Sequence, residues 1–136
     1  MIVTDNQLGQ VAREEMRRTI LVVDDFDEYR VTLKMYLERS GYYVVEAEDG
    51  QQAVRVARES LPAVILMDIG LPRFGGLAAI REIRQDSVLS ECPIIVVTAY
   101  ATPGLHREAL AVGANEVLEK PVDFDHLIAV LQPFMK

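Results

Sequence analysis

The chain carries five short runs rich in Val and Ile: Thr19 to Asp25, Tyr42 to Glu46, Ala63 to Asp68, Pro93 to Thr98 and Asn115 to Lys120. Each has the length and β-branched content of a buried strand. The segments between them are of helical length, with apolar residues three and four positions apart. Glu28 to Arg39 places Leu33 and Leu37 on one stripe, with Asp27 positioned to cap its start and Gly41 just past its end. Gln51 to Ser60 puts Ala53, Val56 and Ala57 on one face, and Leu77 to Gln85 does the same with Leu77, Ile80 and Ile83. Leu105 to Val112 ends at Gly113, and Phe124 to Phe134 carries Leu127, Ile128 and Leu131. Strands that are almost wholly apolar and joined through helices call for a parallel sheet covered on both faces, with right-handed crossovers. The pattern predicts an α/β domain over residues 19–136: a doubly wound five-stranded parallel sheet flanked by five helices. Residues 1–18 hold six charged residues and weak patterning, which reads as a tail, either a short helix or disordered.

Composition narrows the function classes. At 136 residues one domain is expected, and with 50% apolar and 26% charged residues the chain can fill a core rather than remain disordered. No apolar run approaches the roughly 20 residues of a membrane span. No apolar segment follows the N-terminal basic residues as a secretory signal requires, and the single cysteine, Cys92, forbids an intrachain disulfide. A cytoplasmic protein without membrane association is expected. A formal net charge of −7 opposes direct nucleic acid binding. It turns attention to where the acidic residues cluster, since such a cluster can hold a cation.

In doubly wound sheets, ligands bind at the carboxyl ends of the strands near the switch in strand order. The first predicted strand ends in Asp24 and Asp25, the third in Asp68, the fourth in Thr98 and the fifth in Lys120, followed by Pro121. A parallel sheet brings these termini to one edge, and three carboxylates at close range are costly unless a cation neutralises them. Magnesium suits the donor set, because it is held by one or two carboxylates together with waters and phosphate oxygens. With the ion present one carboxylate can act as nucleophile toward phosphorus. Asp68 stands alone at its strand end and fits that role, while the adjacent Asp24 and Asp25 fit the ion. Lys120 can balance charge on a phosphoryl group and Thr98 can hydrogen-bond it.

Singly, these residues have plainer readings: Lys120 as a solvated lysine, Thr98 as an ordinary strand residue, Asp24 or Asp25 as a capping or turn residue. His106 and His126 lack a ligand partner at metal spacing and are expected at the surface. Cys92 is expected to be a packed thiol rather than a nucleophile. Gly75 and Gly76 lack a phosphate-loop pattern and suggest a mobile approach to the third helix.

ILVVDD, AVILMDIGLP, IIVVTA and EKP, in this order and at these intervals, resemble the receiver domain of two-component response regulators over roughly residues 19–135. The resemblance implies Asp24 and Asp25 as the magnesium pair, Asp68 as phosphoacceptor, Thr98 as switch hydroxyl, Lys120 as the family's lysine, the Gly70 backbone carbonyl as a further metal ligand, and a cis Lys120–Pro121 bond. It also implies a signalling switch that takes phosphoryl from a histidine kinase or histidine phosphotransfer protein and is not a turnover enzyme. Its output face would be the fourth helix, fifth strand and fifth helix, and a homodimer formed on phosphorylation is compatible with that face. Because the chain stops at Lys136, output is expected on a partner in trans, whether as relay, target binding or phosphate sink. The family's usual aromatic three residues before the lysine is Val117 here, and Tyr100 is expected to assume part of its role or to cover the site. With Gly70 offering no side chain to position water, slow autodephosphorylation is expected. The rivals are an aspartate-nucleophile phosphatase of the haloacid dehalogenase type, using Asp25 and Asp27, and a receiver-like scaffold that works unphosphorylated.

Overall fold

A computed structural model of the chain describes Gly9 and residues 16–70 and 75–135. Most of the tail expected at 1–18 lies outside the described residues, although Met16 and Arg17 are helical. Among the described residues five strands, β1 Thr19–Val23, β2 Tyr43–Ala47, β3 Val64–Met67, β4 Ile94–Thr98 and β5 Glu116–Glu119, alternate with helices α1 Asp27–Arg39, α2 Gly50–Ser60, α3 Gly76–Gln85, α4 Pro103–Val112 and α5 Phe124–Leu131. All pairings are parallel, in the order β2-β1-β3-β4-β5. The chain runs outward from β1 to β2 and then returns to build on the other side, so the switch point lies between the ends of β1 and β3.

Alternation along the central strands sorts side chains into two layers. Leu21, Val23, Ile65, Met67, Ile94 and Val96 face α2, α3 and α4. Ile20, Val22, Leu66, Ile95 and Val97 face α1 and α5, where Leu33, Leu37, Leu127 and Leu131 meet them. β1, β3 and β4 are wholly buried, as their continuous hydrophobicity requires. β2 and β5 are not. They form the sheet edges, and Tyr43, Glu116 and Glu119 are exposed, as suits strands whose outer side meets no neighbour.

Three helix boundaries depart from expectation. Asp27 does not cap α1: the cap residue is Phe26, with no side-chain cap bond, because the Asp27 carboxylate pairs with Arg30 one turn on, at 2.7 Å. α4 begins at Pro103, since the Thr102 hydroxyl accepts from the Leu105 amide at 3.2 Å and proline fits the first helical turn. α5 ends at Leu131 and tightens into a 3-10 turn over Gln132–Phe134, because Pro133 brings no amide hydrogen to continue the helix.

Arg84 at the end of α3 holds two loops at once. Its guanidinium donates to the carbonyls of Gly113, Ser90 and Cys92 and to Asn115 Oδ1 over 2.7–3.1 Å. Burial, offset only in part by the Cys92 thiol, lowers its pKa. Gly113, at φ 122°, leaves the room: a Cβ there would lie 2.7 Å from Arg84 Cγ. Replacing Arg84 by Ala strands several main-chain carbonyls and is expected to cost about 2–3 kcal/mol in urea unfolding. Arg84→Lys is expected to recover little, because an ammonium cannot span the fork.

Candidate functional site

Three of the chemistry-bearing residues are the first past their strands, and the sheet's own hydrogen-bond lattice holds them. The Asp24 amide donates to Ala47 O at 3.1 Å, the Asp68 amide to Val23 O at 3.0 Å and the Lys120 amide to Thr98 O at 2.9 Å. The strand ends therefore deliver Asp24, Asp68 and Lys120 to one edge with main-chain precision. Asp24 and Asp68 are buried, at 3% and 9% exposure, whereas Asp25 is exposed.

The carboxylate oxygens of Asp24, Asp25 and Asp68 lie within 4.8 Å of one another. Lys120 bridges two of them: its Nζ is 2.5 Å from Asp24 Oδ2 and 3.2 Å from Asp68 Oδ2. Burial pulls the Lys120 pKa down, but the Asp24 hydrogen bond and the neighbouring negative charges outweigh it, leaving the ammonium above its ordinary value. The remaining oxygens are also engaged, Asp24 Oδ1 accepting from the Phe26 amide and Asp68 Oδ1 from the Gly70 amide, each at 2.9 Å. Three hard oxygen donors around one small volume fit a magnesium ion. Gly70 is exposed beside Asp68.

Thr98 is fully buried at the end of β4, and its hydroxyl accepts from the Tyr100 amide at 3.3 Å. The Lys120–Pro121 peptide is cis. Val117 packs into the core layer under α2, α3 and α4. Tyr100 is 70% exposed, and its ring leans over the loop beyond Asp68: a Cβ on Gly70 would lie 3.7 Å from that ring and 3.4 Å from Asp68 Oδ1. His106 and His126 are exposed. The Cys92 thiol donates to Pro62 O at 3.4 Å, and burial pushes it up to about 11, which leaves it a packed, unreactive group.

Two site residues escaped the sequence reading. Arg30 is 7% exposed. It donates to the Asp24 carbonyl at 2.9 Å and pairs with Asp27, Glu46 and Glu48, so it ties the β1–α1 loop to the end of β2. Its signal was available, because Arg30, Leu33 and Leu37 share one helical stripe and a charge on a core-facing stripe needs partners. Gly76 is expected from the sequence to form part of a mobile approach. It is instead a point of contact: a Cβ there would lie 2.6 Å from both Asp68 O and Ile69 Cα. Residues 71–74 of the same loop lie outside the described residues.

The response regulator receiver domain family model matches residues 20–132. The chain belongs to this family. This receiver is 36% identical to protein PilH of Pseudomonas aeruginosa, over 82% of the chain and 93% of PilH. It is 29% identical to the polar-differentiation response regulator DivK of Brucella anthropi, over 88% and 98%. Other curated relatives are about twice as long, the chain spanning 47% of one and 52% of another. Among solved structures, the receiver domain of the sensor histidine kinase PA1611 from Pseudomonas aeruginosa, with magnesium coordinated in its active-site cleft, matches at 36% identity with a TM-score of 0.81, over 87% of this chain and 97% of that one.

A cavity of about 530 Å³ lies between Met16, Leu61, Pro93 and Phe134, at the opposite edge of the sheet, where β3 and β4 begin. It is remote from the carboxylates and predominantly apolar in lining. The tight site contact is Gly76, and Gly76→Ala forces α3 away from the Asp68 main chain. A loss of about 1–3 kcal/mol in urea unfolding is expected.

Proposed function

We propose that this receiver is a phosphorylation-dependent switch in which Asp68 takes a phosphoryl group from a histidine kinase or histidine phosphotransfer protein and the modified domain acts on a downstream protein in trans. The observation that carries the reading is the bridge made by Lys120 between Asp24 and Asp68 within a cluster of three carboxylates. An Asp68 oxygen forms the bond to phosphorus as the phosphorus–nitrogen bond of phosphohistidine breaks, and the leaving imidazole takes up a proton. Lys120 already touches Asp68 and meets the charge that arrives with the phosphoryl oxygens. Asp24, Asp25 and Asp68, with the Gly70 carbonyl, would hold a magnesium ion, which supplies charge neutralisation at the transferring group. The chemistry is confined to this self-modification and its slow reversal, in a cytoplasmic protein without direct nucleic acid contacts.

The switch follows from where the mobile parts lie. Thr98 and Lys120 are joined by a main-chain hydrogen bond of 2.9 Å, so drawing either side chain toward a phosphoryl group loads the pairing of β4 and β5. Only Ala109 of α4 is buried, which makes that helix the least anchored of the five and the easiest to shift. Phosphorylation then selects a population in which the surface of α4, β5 and α5 is repacked, and that surface also suits a homodimer formed on phosphorylation. With Val117 in the core, coupling runs through Thr98 and Lys120 rather than through an aromatic rotamer. The phosphatase alternative needs a second carboxylate at Asp27, but that side chain is 76% exposed and paired with Arg30.

The test is intact mass after incubation with acetyl phosphate, with and without magnesium. One added phosphoryl group is expected, dependent on magnesium and absent from Asp68→Asn; no uptake under any condition leaves the scaffold reading. With the Tyr100 ring over the loop and no side chain at Gly70 to orient water, the phosphorylated form is expected to last minutes or longer, measured as phosphate release. A lifetime of seconds overturns that expectation.

A further inference from the structure

Tyr29 lies on α1 one turn ahead of Leu33, its ring packed against the core layer beneath α1 and α5. The ring centroid is 4.4 Å from Lys120 Nζ, inside the roughly 6 Å over which an aromatic face attracts an ammonium. Burial raises the pKa of its phenol, which reaches the Val122 backbone but has no regular hydrogen-bond partner among the described residues. Tyr29 thus touches the chain on both sides of Pro121, and its useful part is the ring rather than the hydroxyl.

We propose that Tyr29 is the positioning residue for Lys120, its ring face keeping the ammonium at Asp68 when a divalent ion takes the Asp24 carboxylate. The proposal rests on the phosphoacceptor reading of Asp68. Lys120 has three partners: Asp24 Oδ2 at 2.5 Å, Asp68 Oδ2 at 3.2 Å and the Tyr29 ring. Its shortest contact is to Asp24, one of the groups suited to the ion. A cation bound there competes for that carboxylate and leaves the ammonium with one longer ion pair. A lysine on a flexible four-carbon stem then samples other rotamers unless something else holds it. The ring can do so without competing for the ion, because it presents a negative face and no ligand oxygen, and its own place is set by core packing. An aliphatic residue of similar size would fill the space but offer no such face.

Wild type, Tyr29→Phe and Tyr29→Leu are compared, each also in a Lys120→Ala background. Proton NMR reads the Lys120 Hε resonance, which the ring current shifts upfield, and intact mass reads the initial rate of phosphoryl uptake from acetyl phosphate with magnesium. Tyr29→Phe is expected to keep both the upfield shift and the rate. Tyr29→Leu is expected to lose the shift and slow uptake roughly fivefold, with no further slowing in the Lys120→Ala background. Thermal unfolding checks that each variant is folded, and Tyr29→Met replaces Tyr29→Leu if the latter is not. The proposal is overturned if adding magnesium removes the upfield shift in wild type, if Tyr29→Leu leaves the rate unchanged, if Tyr29→Phe slows uptake as much, or if the slowing persists in Lys120→Ala. If wild type takes up no phosphoryl group, the phosphoacceptor reading fails, while the upfield shift in wild type with magnesium present still decides whether the Tyr29 ring holds Lys120.

Discussion

The interaction on which the site depends is the Lys120 ammonium shared between Asp24 and Asp68. Two buried carboxylates with a third beside them repel one another, and each has left bulk water, so the edge of the sheet is tolerable only with positive charge among them. The charge comes from the far side of the sheet, since Lys120 follows β5, the last strand added, while Asp24 follows β1. Balancing the acid cluster therefore depends on β1, β3, β4 and β5 lying side by side in this order. The three main-chain hydrogen bonds that run past the strand ends make this placement a property of the sheet rather than of flexible loops.

Two arginines perform a comparable task by reaching main-chain carbonyls. Arg30 reaches the Asp24 carbonyl from α1 while pairing with Glu46 at the end of β2, and Arg84 gathers carbonyls from the loops that precede β4 and β5. A planar fork of donors can satisfy several main-chain acceptors from one side chain. In both cases one side chain ties together elements that already share an apolar layer. Gly76 adds the complementary condition of absent volume, which lets α3 begin against the main chain of Asp68 itself.

The fold leaves its freedom at one edge. The central strands and the stripes of α1, α2, α3 and α5 are sealed into two layers, whereas α4 fully buries Ala109 alone, with Val112 half-buried beside it, and β5 has exposed ends. Asp68 is tied to this edge through Lys120, whose main-chain amide is bonded to the Thr98 carbonyl.

Apolar runs and helical stripes along the chain determined by themselves the five strands, the five helices and the parallel sheet, because burial of a two-sided sheet demands that periodicity; which side chains fill which layer was settled by the fold. They also placed Asp24, Asp25, Asp68, Thr98 and Lys120 at strand ends, and a parallel sheet puts strand ends on one edge. What only the tertiary structure decided is how side chains use that edge. Asp27 turned from a cap into a partner of Arg30, the Lys120 ammonium settled over the Tyr29 ring, Gly76 proved to be a contact, and β2 and β5 became edges with polar ends. Each of these depends on the distance between residues far apart in the chain, and periodicity records the face a residue occupies but not the group it meets there.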